Sequence, residues 1–178
     1  MGHMHLILNH FPVVGLFFSI ALTGYAYYVN DIKVKRAALW AYTIVGITTI
    51  FAYLTGEPAE EMVEHKPGVL KQMIETHETA AMVAGIFIAV IAILSAFELW
   101  NQKKGKPLNP KLMMGIFILS IITSLPIART AYLGGLIGHA EIRPFSQGSQ
   151  HETPVIEGGE ESGEEEGESG GMPEPANH

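Results

Sequence analysis

Four long apolar runs separated by short charged segments restrict this chain more than any other feature. Phe11–Val29 carries no charged residue, and its apolar character begins at Leu6. Ala37–Leu54 and Leu112–Leu133 follow the same pattern, the last broken by Arg129 alone, and Thr79–Phe97 supplies the remaining run. Crossing a hydrocarbon core takes about 20 mostly apolar residues, so each run is long enough to span. A soluble bundle would show a polar stripe on every helix. These runs are apolar all round, and lipid is the better solvent. The sequence therefore predicts an all-α fold, an integral membrane four-helix bundle with spans at about 6–29, 37–54, 77–100 and 112–134, occupying residues 1–139. The first run lacks a preceding Lys or Arg and is too long for a leader peptide, so it reads as a retained span.

Residues 140–178 are a different material. They hold ten acidic residues and one basic, or −9, whereas residues 1–139 hold ten basic and eight acidic, or +2, and the two parts sum to the overall −7. A Glu/Gly/Ser-rich segment of this kind buries too little apolar surface to offset its ordering entropy, and a disordered acidic tail is expected. Such a tail would be solvated, or would attract a basic partner. The negative charge also argues against a nucleic-acid partner. The chain has no cysteine, which excludes disulfides, thiolate metal sites and a thiol nucleophile.

Basic residues set the expected orientation. Seven of the eleven lie on one side, in the two connections holding Lys33, Lys35 and Arg36, and Lys103, Lys104, Lys106 and Lys111. The positive-inside rule puts those connections in the cytoplasm and both termini outside, in the periplasm of a bacterial cytoplasmic membrane. Trp40 and Trp100 near the same side suit interfacial anchors. All eight histidines then face outside.

Two histidines stand out by depth. His10 and His77 each open an apolar run, on spans that run parallel. His10 shares a stripe with Val14, Phe17 and Ala21, and His77 shares one with Ala80, Ala81, Ala84 and Ile88. A level imidazole pair on two helices of a bundle suits the axial ligation of one haem b. His139, after the fourth span, is the substitute ligand. Arg129, one to two turns inside the fourth span, would balance a haem propionate or a quinone head, or would snorkel to the headgroups or pair with Glu57, Glu75 or Glu78. Tyr132 would hydrogen-bond the same ligand. The acidic connection 55–78 offers Glu61 and His65 four residues apart. With His10 and His77 they form an alternative site for a Zn or Cu ion, although a solvated acidic face explains them as well.

The string from His5 to Gly15, with His10-Phe11-Pro12 at its centre, resembles the His-Phe-Pro start of a group of bacterial four-span membrane proteins of unknown function. Tyr53-Leu-Thr-Gly-Glu-Pro58, Glu64-His65, His77-Glu78 and the segment Ala128 to Gly135 fit a branch of that group. The resemblance covers about residues 3–143. It implies the four-span architecture, and redox work beside Rieske and cytochrome c proteins. The chain is also loosely similar to cytochrome b561-type proteins in span number and histidine placement. It departs from their two-haem form in having no histidine on the cytoplasmic side.

Two functions of different class follow. One is a b-type haem-binding electron-transfer or quinone-interacting subunit with its site near the outer face, exchanging electrons with a periplasmic redox protein. The other is a non-enzymatic metal-binding or structural accessory protein, as a homo-oligomer or as a subunit of a respiratory complex.

Overall fold

A computed structural model describes residues 2–65 and 68–143. Six α-helices make up nearly all of it: α1 (Gly2–Leu8), α2 (His10–Val29), α3 (Ile32–Leu54), α4 (Gly56–Val63), α5 (Lys71–Lys103) and α6 (Pro110–Gly138), followed by a 3-10 turn at Ala140–Ile142. Strands are absent among the described residues. Four segments are long and apolar enough to cross a membrane: Met4–Val29, Ile32–Leu54, Lys71–Lys103 and Pro110–Gly138. They run past the apolar cores at their ends. The 33 residues of α5 rise about 50 Å, against a hydrocarbon core of about 30 Å, so its polar ends project beyond the apolar layer. The segment expected to be a disordered tail lies, from residue 144 onward, outside the described residues.

The spans alternate in direction, so each end of the bundle has its own character. Described histidines 5, 10, 65, 77 and 139 collect at one end, here the histidine end. The connections bearing Lys33, Lys35, Arg36, Lys103, Lys104 and Lys106 form the lysine end. Helix α3 packs between α2 and α5, and α6 packs on α5 and closes against α2.

The turns at the lysine end are fixed by side-chain caps. Asp31 accepts hydrogen bonds from the Lys33 and Val34 amides at 2.6 and 3.3 Å. Asn109 accepts from Lys111 and Leu112 at 3.0 and 3.3 Å, and Pro110 opens α6 where its missing amide costs nothing. Asn30, at φ 49°, supplies the left-handed residue that ends α2. Glu98 is 1% exposed, and its carboxylate accepts the Asn109 amide at 2.8 Å, tying α5 to the start of α6.

Small and polar residues face the bundle interior, as expected where lipid removes any hydrophobic drive for helices to associate. Gly46 lets α3 approach α5 so closely that a β-carbon there would overlap the Cβ of Ala92. Thr23 donates to the Tyr42 hydroxyl at 3.1 Å, and Tyr42 and Ser120 hydroxyls share a bond of 2.8 Å, joining α2, α3 and α6. Leu16, Leu39, Ile88, Ile91, Met113 and Ile116 fill the rest of the core.

Candidate functional site

The first span is broken near its start. Pro12 has no amide to bond the Leu8 carbonyl four residues back, and the helix is interrupted at Asn9, between α1 and α2. Asn9 itself keeps helical backbone angles, so the faces carry through from α1 to α2. On α2 the buried stripe is Pro12, Leu16, Ser19, Thr23 and Ala26. His10 and the residues of its stripe, Val14, Phe17 and Ala21, are all exposed. The His10 Nδ1–H donates to the Leu6 carbonyl of its own span at 2.8 Å.

His5, on α1, turns inward instead. It is half-buried, and its Nδ1–H donates to the Ala52 carbonyl near the end of α3 at 2.9 Å, with the Thr55 hydroxyl at 3.4 Å. His77 is also half-buried. Its Nδ1–H donates to the Thr130 carbonyl on α6 at 3.1 Å. A carbonyl only accepts, so Nδ1 carries the proton in both rings and the neutral Nε2 keeps a free lone pair. Glycines let the backbone pass close to both rings. A β-carbon at Gly134 would come within 3.0 Å of the His77 Cε1, and one at Gly56 within 3.8 Å of the His5 Cε1. Asn9, one turn beyond His5, has a buried Oδ1 with no hydrogen-bond partner. His5 and His77 are thus the half-buried imidazoles bonded to another helix, while His10 is exposed and bonded within its own span.

Two features hold this end together. Helix α4, within the acidic connection 55–78, packs against α1 at the histidine end. Arg143 clasps the end of α6: its guanidinium donates to the Leu136, Ile137 and Gly68 carbonyls at 2.8, 3.2 and 2.6 Å, satisfying carbonyls the helix end leaves free. Glu60, on α4, is hydrogen-bonded to Glu78 near the start of α5, which raises its carboxyl above the ordinary range; partial burial and the Glu78 charge act in the same direction.

The remaining candidates are dispersed. His139 is exposed and pairs with Glu141 at 2.9 Å. Glu141's own backbone amide, and then His139, hold its carboxyl below the usual range. Glu61 and His65 are exposed, as is Tyr132. Among the described residues no group of three or more His, Asp or Glu side chains is placed to hold a metal ion. Arg129 is exposed and lines a groove of about 700 Å³ between α5 and α6, with Glu75, Thr76, Thr79, Val83 and Pro126; His77 does not line it.

Residues 3–140 match the model of a protein family described as Predicted membrane protein (DUF2231). Comparison with curated proteins and with solved structures gives no match.

Proposed function

The chain belongs to the DUF2231 family of predicted membrane proteins, and on that footing we propose that it is a membrane redox subunit holding one b-type haem at its histidine end. His5 and His77 are the proposed axial ligands. The observation that carries this reading is their shared geometry: two half-buried imidazoles from different spans, each with Nδ1–H tied to a main-chain carbonyl and Nε2 free. A carbonyl bond of that kind fixes the tautomer and raises the basicity of the donor nitrogen. Gly134 lets α6 pass close beside the His77 ring, where a β-carbon would come within 3.0 Å of Cε1. In donor chemistry the residues fit the group.

Haem also suits the site better than a bare Zn or Cu ion. Zinc takes three or four protein ligands, whereas haem iron needs only two beyond its macrocycle. The described residues offer a pair and no triad. When bound, the haem would supply a one-electron carrier.

The chain's own charges favour an orientation with the lysine end in the cytoplasm and both termini outside. A cofactor at the histidine end would then face the periplasm. One such group cannot bridge about 30 Å of bilayer, so the subunit would pass electrons between the quinone pool and a periplasmic redox protein. This is a one-cofactor variation on the cytochrome b561 plan. The test is the absorption spectrum of the full chain purified from a haem-sufficient host, oxidised and then dithionite-reduced. A Soret band that shifts and sharpens on reduction supports the reading, and a colourless protein contradicts it.

A further inference from the structure

We infer that the groove between α5 and α6 at the histidine end seats one phospholipid with a phosphoethanolamine headgroup. The groove's volume, about 700 Å³, lies within the range of small-molecule sites. Its wall is apolar where it runs toward the membrane interior, at Ala80, Val83, Leu125 and Pro126, and polar toward the helix start. Only two of its lining residues are charged, Glu75 and Arg129. Neither forms an ion pair with a described residue, and both are exposed. Two opposite, unpaired charges in one groove sum to zero and call for a zwitterion.

Their depths match the order of charges in the headgroup. Glu75 is four residues inside the start of α5, and Arg129 nine residues inside the end of α6. At 1.5 Å per residue these are about 6 and 14 Å below the respective helix ends. The cation is the deeper, facing the phosphate next to the glycerol, and the carboxylate is nearer water, facing the terminal ammonium. A primary ammonium donates hydrogen bonds to Glu75 and to the Thr76 hydroxyl, which a trimethylammonium cannot do. A phosphatidylglycerol would satisfy Arg129 but offer Glu75 only neutral hydroxyls, leaving its charge uncompensated. The groove therefore selects ethanolamine over choline and glycerol headgroups, with the acyl chain along Val83 and Leu125. None of this depends on haem binding.

Native mass spectrometry of the full chain in detergent tests the assignment, using phosphatidylethanolamine, phosphatidylcholine and phosphatidylglycerol of identical acyl chains. One phosphatidylethanolamine should be retained about tenfold more tightly than either competitor, the worth of one or two charge-assisted hydrogen bonds. Arg129→Gln should weaken retention about tenfold, Arg129→Lys should largely preserve it, and Ala80→Trp should block the groove. Glu75→Gln should erase the preference over phosphatidylcholine while leaving phosphate binding. Equal retention of all three lipids would overturn the inference. So would retention unchanged in Arg129→Gln and Ala80→Trp, or displacement of the lipid from the unaltered chain by a quinone. Arg129 and Glu75 are exposed, so helicity unchanged by circular dichroism separates lost binding from lost folding.

Discussion

The Nδ1–H of His77 on α5 points at the Thr130 carbonyl on α6, 3.1 Å away, and this one bond both ties two spans and fixes the ring's tautomer. His10 makes a bond of the same kind within its own span, at 2.8 Å, and ties nothing to anything else. The two residues should therefore differ in their effect on the cofactor-free protein. His77→Ala should lower its unfolding free energy by about 1–2 kcal/mol, from a lost interhelical hydrogen bond and lost packing. His10→Ala should change it by less than about 0.5 kcal/mol, as for most exposed positions. Denaturant unfolding in mixed micelles, followed by circular dichroism, measures both.

Gly46 makes a second prediction. A β-carbon there would overlap the Ala92 Cβ, so any side chain must push α3 away from α5. Gly46→Leu should cost about 1–3 kcal/mol, the usual penalty for overpacking a tight core. Gly115, with open space around its Cβ position, is the control, and Gly115→Leu should unfold close to the parent. A thermal melt of the three proteins side by side decides it.

The architecture was legible in the sequence because it rests on length and apolarity, which are properties of segments. The four runs mark the four spans, and basic residues in the connections separate the two ends. Which histidine faces the bundle was harder to read, because facing is a property of single positions. The Val14 and Phe17 stripe that contains His10 is bulky and meets lipid. The stripe that meets the bundle is Pro12, Leu16, Ser19, Thr23 and Ala26, and its small and polar residues were the available signal. Asn9 keeps helical backbone angles, so this stripe extends back through Asn9 to His5, seven residues before Pro12, and His5 could have been read from it. The Arg143 bond to Gly68 joins segments far apart in the chain and the buried Glu98 cap crosses a turn to Asn109, and periodicity carries no trace of either.

The Glu60 carboxyl predicts a pH response at the α4 cover. Hydrogen bonding to Glu78 raises its affinity for a proton in the folded state. The folded protein then binds more protons than the unfolded chain between the ordinary carboxylate value and the raised one. The stabilisation is fully present below that window and is lost as pH rises through it. Hydrogen exchange of α4 amides, corrected for the intrinsic pH dependence, should show protection falling with rising pH across the window. Glu60→Gln should flatten the profile and keep α4 protected.

His5 and His77, and not His10, are the proposed nitrogen ligands of one haem. The Soret absorbance per protein of three variants, purified alike from a haem-sufficient host, tests this most directly. His5→Ala and His77→Ala should each lose the band or shift it to that of a five-coordinate haem, while His10→Ala keeps the spectrum of the unaltered chain. A His10→Ala protein that loses its haem, beside a His5→Ala protein that keeps it, would contradict the account.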